Sequence, residues 1–219
     1  DTTIVFPSPD PTKEGYSFSR WDPDVTVSGN RVPASNVVFT AQWAINSYTV
    51  TFDFNNGTKA LTATINYKSV INYPNATKEG HNFGGWASDV TVTDNMMPAS
   101  DVVFTAQWTV NYYIVTFVCN NNRTGNTSII FSFNTTIAYP KPSREGYSFS
   151  KWEPDVTVTG SRMPASNVVF TAQWTINSYT LTFDYGNETT ADMTYNYSST
   201  IDYPENLTRE GYRFTGWEP

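Results

Sequence analysis

The strongest constraint on this chain is that it repeats itself. The phrase "VPASNVVFTAQW" ends at Trp43, "MPASDVVFTAQW" at Trp108 and "MPASNVVFTAQW" at Trp174. A second phrase, "KEGYSFSRW", "KEGHNFGGW", "REGYSFSKW" and "REGYRFTGW", ends at Trp21, Trp86, Trp152 and Trp217. Its glycines, Gly15, Gly80, Gly146 and Gly211, are spaced by 65, 66 and 65 residues. A third, "YTVTFDF" from Tyr48, returns as "YIVTFVC" from Tyr113 and "YTLTFDY" from Tyr179. The order never changes, so the chain is a tandem array in which every unit must fold as one small supersecondary block.

One complete repeat spans residues 44–108 and a second 109–174; residues 1–43 form the back part of a repeat and residues 175–219 the front part of another. The opening "DTTIVFPSPDPTKEG" carries no initiator Met and no signal peptide, and reads as a processed or excerpted piece. An array cut within a repeat at each end reads first as a window on a longer protein. The alternative is that the cut ends complete each other between chains by strand donation.

Within a repeat the periodicity is β. Tyr48, Val50, Phe52 and Phe54 alternate with Thr49, Thr51 and Asp53, and Leu61, Ala63, Ile65 and Tyr67 alternate with Thr62, Thr64 and Asn66. The "NNGTK" between them is turn chemistry and predicts a hairpin. "DVVFTAQW" places Val102, Phe104, Ala106 and Trp108 on one face. "DVTVT" from Asp89 reads as a further short strand, and Trp86 falls out of step with His81 and Phe83, which predicts a bulge. No stretch holds a helical period; at most "KSVINY" makes one or two helical turns. A 65-residue domain with no disulfide or metal has a small core. The large tryptophans Trp21, Trp43, Trp86, Trp108, Trp152, Trp174 and Trp217 are therefore assigned to it.

Composition removes several function classes. A net charge of −7 disfavours nucleic acid and anionic membranes as partners. No apolar run approaches the roughly 18 residues of a spanning helix, so no membrane insertion is expected within this segment. The one cysteine, Cys119, excludes an intrachain disulfide and a cysteine-built zinc site.

The repeats supply an internal control on candidate sites, because a residue kept at one slot in every copy reads as structural. Glu14, Glu79, Glu145 and Glu210 precede the turn glycine, and Asp24, Asp89 and Asp155 precede the "VTV" stretch; all read as turn or loop residues. No two carboxylates pair as acid and base. His81 occupies a slot held by Tyr16, Tyr147 and Tyr212, and Cys119 one held by Phe54 and Tyr185, so both read as packing residues. No phosphate loop or metal-spaced cluster is present, and neither enzyme activity, a metal nor a cofactor is expected.

Asn-x-Ser/Thr triplets occur at Asn56, Asn75, Asn122, Asn126, Asn134, Asn187, Asn196 and Asn206. The 21 Asn and 51 Ser plus Thr give about five by chance. Placement adds more than the count does: Asn56, Asn122, Asn126 and Asn187 fall in first-hairpin loops, and Asn75 and Asn206 precede "KEG" or "REG". These are candidate N-glycosylation sites, covalent glycans being the one added group expected.

The series "YTVTFDFNNG … INYP … TKEGHNFGGW … MPASDVVFTAQW" resembles the Listeria–Bacteroides repeat, the B repeat of internalin-type surface proteins. Tyr48, Val50, Phe52, Gly57, Pro74, Lys78, Gly80, Phe83, Gly85, Trp86 and Trp108 carry the likeness, in order, across essentially the whole chain. It departs where Arg20 and Lys151 replace the glycine before Trp21 and Trp152, and where the turn after the first strand keeps only Asn56-Gly57. The resemblance implies a β-rich α+β fold of tandem β-grasp, ubiquitin-like domains in extracellular or cell-surface proteins. The function expected is a non-catalytic stalk, fibre or surface filament; the alternative is an adhesin whose repeats bind a host or neighbouring-cell protein or glycan. Only "AINS", "TVNY" and "TINS" separate one repeat from the next, so the beads should form a semi-rigid rod, each repeat's first partner being its neighbour and the next a further copy end to end.

Overall fold

The computed structural model describes residues 3–121 and 125–218. The chain divides into two compact units, Asp1–Val110 and Asn111–Pro219. All regular structure among the described residues is β-strand.

In the first unit, β1 (Tyr16–Pro23) and β2 (Phe39–Ile45) form an antiparallel pair. They are followed by β3 (Ser47–Asp53), β4 (Leu61–Asn66), β5 (His81–Ser88) and β6 (Val102–Val110), a four-stranded sheet in the order β4-β3-β6-β5. The central pair β3–β6 is parallel and the outer pairings are antiparallel. The second unit repeats this with β7 (Tyr112–Val118), β8 (Thr127–Ser132), β9 (Tyr147–Pro154) and β10 (Val168–Ile176), in the order β8-β7-β10-β9. It closes with the hairpin β11 (Ser178–Asp184) and β12 (Thr190–Asn196).

The alternation read from "YTVTFDF" and "LTATINY" is the hairpin observed, with Tyr48 opposite Ile65 and Phe52 opposite Leu61. The bulge is also where the broken phase placed it, between Phe83 and Gly85, and its counterpart lies between Phe18 and Arg20. Gly85 accommodates it with a φ of 114°, a backbone region closed to most side chains.

Two stretches form neither helix nor strand. "KSVINY" makes a turn rather than helical turns: Lys68 takes a left-handed φ of 61° and Val70 bridges Met96. The β-rich part of the expected class thus stands, without a helix among the described residues. "DVTVT" is no strand either. Asp89 donates its N–H to the Val103 carbonyl and accepts the Val103 N–H on its own carboxylate, which ends β5. The following loop folds Val90 and Val92 onto the core instead of pairing.

The two complete repeats bury the same set. Val50, Phe52, Ile71, Met97, Val102 and Phe104 form one core, and Val115, Phe117, Ile137, Met163, Val168 and Phe170 the other. Aromatic rings knit each together. Phe52 stacks on Phe104 at 5.3 Å and Phe117 on Phe170 at 5.5 Å, while Trp86 and Trp152 stand edge-on to Phe52 and Phe117 at 5.1 and 5.0 Å. Trp86 and Trp152 pack against the core from its margin. Every tryptophan assigned to it, Trp21, Trp43, Trp86, Trp108, Trp152, Trp174 and Trp217, is half-buried, and the deepest large side chains include Met97 and Met163. Trp108, Trp152 and Trp174 donate their indole N–H to the Phe54, Pro140 and Cys119 carbonyls at that margin, whereas Trp21 Nε1 is buried without a partner among the described residues; methionine has no N–H to satisfy and fills irregular space.

Candidate functional site

The feature built twice from the same residues is the joint between adjacent repeats. Closing strands run past their tryptophans, so the four-residue connectors shrink to one residue: Asn46 between β2 and β3, Asn111 between β6 and β7, Asn177 between β10 and β11. Asn46 is a rung shared by two sheets. Its N–H donates to the Gly15 carbonyl of the repeat before, and its carbonyl accepts the Tyr67 N–H of the repeat after, both at 2.9 Å. Its side chain accepts from Ser17 Oγ at 2.7 Å. Asn177 repeats the arrangement with Gly146, Tyr197 and Ser148.

A socket lies beside each rung. Tyr67 is buried against the face of Gly15, where a β-carbon would collide with its ring, and Tyr197 sits the same way on Gly146. Gly15 and Gly146 are themselves buried, with φ of 74° and 72°. Tyr16 and Tyr147 close the sockets edge-on, at 5.9 and 6.1 Å. The glycine of "KEG" and "REG" thus serves two needs, the left-handed turn and the seat for the next repeat's ring.

The motif cations and carboxylates work inside their own repeats. Lys78 Nζ donates to the Asn55 carbonyl at 3.0 Å and Arg144 to that of Asn120 at 3.3 Å, which ties the first hairpin loop to the glycine turn. Arg144 also lies 3.8 Å over the Tyr147 ring. Asp24, Asp89 and Asp155 each accept a backbone N–H, from Val38, Val103 and Val169, at 2.9, 2.8 and 2.8 Å. Glu14, Glu79, Glu145 and Glu210 are exposed in turns. His81 Nδ1 lies 2.7 Å from the Glu79 carbonyl. Cys119 is half-buried, and its carbonyl accepts Trp174 Nε1–H at 2.9 Å, as the Phe54 carbonyl does from Trp108. Among the described residues no three His, Cys, Asp or Glu come together as metal ligands, and no helix is long and apolar enough to cross a membrane.

The sequons do not form one class. Asn56 and Asn187 accept from Thr58 and Thr189 in side-chain turns, and Asn56 also donates to the Thr77 carbonyl at 2.9 Å. Asn196 accepts from Ser178 Oγ across the hairpin at 2.8 Å. Asn75, Asn126, Asn134 and Asn206 are exposed; Asn122 lies outside the described residues. A repeating aromatic group was not read from the sequence as a surface feature. Phe83 packs on Trp86 and Trp108 at 5.6 and 5.4 Å, and Phe149 on Trp152 and Trp174 at 5.5 and 5.7 Å, with both phenylalanines exposed.

The shared asparagine was missed as well, although its signal was present: Asn46, Asn111 and Asn177 hold one slot in "AINS", "TVNY" and "TINS". A connector asparagine reads as turn chemistry until the strands on both sides are known to run up to it.

Known proteins carry the same pattern. A protein of Evansella cellulosilytica, named provisionally as a membrane protein, is 31% identical over 98% of this chain and 35% of its own length. Another from that organism, named provisionally as a Gly-rich membrane protein, is 30% identical over 94% of this chain and 28% of its own. Internalin H of Listeria monocytogenes is 41% identical over 42% of this chain and 18% of its own. The chain therefore spans about a third or less of the length of these relatives. The Listeria-Bacteroides repeat domain matches residues 1–42, 48–110, 113–176 and 179–218, and with nearly every residue so covered, the chain belongs to the Listeria-Bacteroides repeat family.

Proposed function

We propose that this chain is a non-catalytic spacer in a longer cell-surface protein, exposed outside the cell, in which the repeats set reach and stiffness. The observation that carries this reading is the joint. At Asn46 and at Asn177 a one-residue connector bonded to both neighbours, with a tyrosine of one repeat seated on a glycine of the other, leaves little freedom between the two repeats it joins. Compact-domain scaling gives each bead a radius of gyration of roughly 11 Å, hence an axial repeat on the order of 30 Å. The strand order, with a parallel central pair flanked by antiparallel strands, supports a β-grasp assignment in which a loop takes the place of the helix. The names of the relatives, two membrane proteins and an internalin, support placement at the surface. N-linked glycans on the exposed Asn75, Asn126, Asn134 and Asn206 belong to the same proposal, as do further copies joined end to end as a filament. The test is electron microscopy of native material from the source: rods or filaments with an axial period near one bead or a small multiple are expected. A compact particle without that period would remove the spacer reading.

A second reading, adhesion, is favoured by the exposed Phe83 and Phe149, each framed by two tryptophans, since a recurring aromatic face suits a protein or glycan partner. Saturable binding of the purified chain to host or neighbouring-cell surfaces, lost in a Phe83→Ala/Phe149→Ala variant, would put adhesion in place of spacing.

A further inference from the structure

The repeats differ on one outward face, and that difference marks a binding edge. In the hairpin β7–β8, Val115 and Phe117 point into the core, so Ile114 and Thr116 point outward. Ile130 stands opposite Ile114 and shares its outward face. Ile130 is 66% exposed and Ile114 42%. The same two slots hold Thr49 and Thr64 in the second repeat and Thr180 and Thr194 in the fourth. A threonine pair on a solvated face needs no explanation; an isoleucine pair in one copy only does.

The strand that carries Ile130 is also an edge. β8 is the outermost strand of its sheet. Phe133 N–H donates to the Asn111 carbonyl at 2.9 Å, which sets the phase of the antiparallel ladder. Tyr113–Phe131 and Val115–Ile129 are then the bonded pairs, and Ser128, Ile130 and Ser132 turn their N–H and C=O groups away from β7. Edge strands are commonly guarded by charge. β12 has such a guard in Asp192, but neither β7 nor β8 contains a charged residue, in a chain whose net charge is −7.

We propose that β8 pairs antiparallel with β8 of a second copy of this chain, about a two-fold axis through Ile130. The edge is self-complementary in this register. Ile130 N–H and C=O meet those of the second copy's Ile130, and Ser132 N–H meets the carbonyl of the second copy's Ser128. On the outer face the two Ile130 side chains touch between the flanking Ile114 residues. On the inner face Ile129, 40% exposed in one copy, packs against the second copy's Phe131. A one-residue slip would set inner side chains against outer ones and lose both contacts. The like-charge repulsion of an acidic chain is least here, which is why the occupant is another copy rather than a basic partner. This lateral pairing uses sheet edges and not the joints between repeats, so it stands apart from the spacer reading; it requires Asn126 and Asn134, which flank β8, to be free of glycan.

The test is sedimentation equilibrium of the full chain from roughly 1 μM to 1 mM, the range in which weak edge pairing is visible. A reversible monomer–dimer equilibrium is expected. Ile130→Lys, which sets like charges opposite each other, should raise the dissociation constant about tenfold or more, whereas Thr64→Lys at the matching slot should leave it unchanged. Far-UV circular dichroism checks that the lysine variant folds. If it does not, Ile130→Thr, the residue of the sister repeats, should give the same direction of change. A chain monomeric throughout the range would overturn the proposal. So would a dimer indifferent to both substitutions at Ile130, or one that responds equally to Thr64→Lys.

Discussion

Replacing Gly15 with alanine tests the socket directly. Two costs arise at that position. The backbone stands at a φ of 74°, where an L-residue loses about 1–2 kcal/mol. The new methyl would also meet the Tyr67 ring, which is 8% exposed and has nowhere to retreat, an overpacking cost of about 1–3 kcal/mol. The sum is about 2–5 kcal/mol. Gly211 is the matched control, because its φ is 76° and an added methyl there meets open space. Only the first cost, about 1–2 kcal/mol, applies to Gly211→Ala. A chain of several repeats does not unfold in two states, so the assay is local: hydrogen exchange followed by mass spectrometry over β1–β2 and β3–β4. Gly15→Ala should accelerate exchange there by about 30- to 5000-fold, and Gly211→Ala should accelerate it in its own repeat by no more than about 30-fold. Adding Tyr67→Ala to Gly15→Ala should cost less than the two single changes summed, since the clash is removed once. Equal effects at Gly15 and Gly211, or strict additivity with Tyr67→Ala, would refute the socket.

Three further outcomes follow from residues that recur. Met97 and its counterpart Met163 are each 1% exposed, so Met97→Ala should destabilise the second repeat by about 2–5 kcal/mol, while Val32→Ala, at the matching but exposed slot of the first repeat, should change local exchange little. Asp89→Ala removes the acceptor of the Val103 N–H and should cost about 1–2 kcal/mol, read as faster exchange at Val103 and at the end of β5; Asp155→Ala should do the same at Val169. Burial holds the Tyr73 phenol above the usual tyrosine range. Its stabilising contribution is present below the unfolded pKa near 10 and is lost as pH rises through the folded value, so Tyr73→Phe should lessen the alkaline loss of stability of its own repeat, read as urea-dependent proteolysis within residues 44–108 compared at about pH 7 and about pH 11.

Much of the fold could be read from the chain because its cause is local. The period-two faces of β3 and β4 need only each other, and the broken phase at Trp86 announced a bulge because a core-facing tryptophan cannot sit out of step without one. Legibility ended where position depends on a distant partner. "DVTVT" has strand composition, yet the clasp between Asp89 and Val103 ends pairing and sends Val90 and Val92 inward. The tryptophans were placed by size, but their indole N–H groups draw Trp108 and Trp174 towards carbonyls at the core margin. The joint was invisible for the same reason: Gly15, Asn46 and Tyr67 lie far apart in sequence, and each alone has an ordinary local explanation.

The joint also fixes the increments in which such an array can change length. Its parts come from two neighbours, the glycine from one and the tyrosine from the next, with the asparagine between them. A repeat with a glycine seat at one end and a tyrosine for the seat before it, inserted or deleted whole, would re-form the junction with no new interface to invent. A gain or loss of part of a repeat leaves a seat without a ring or a ring without a seat. The changes of length that keep every seat with its ring are therefore those that come in steps of one whole repeat.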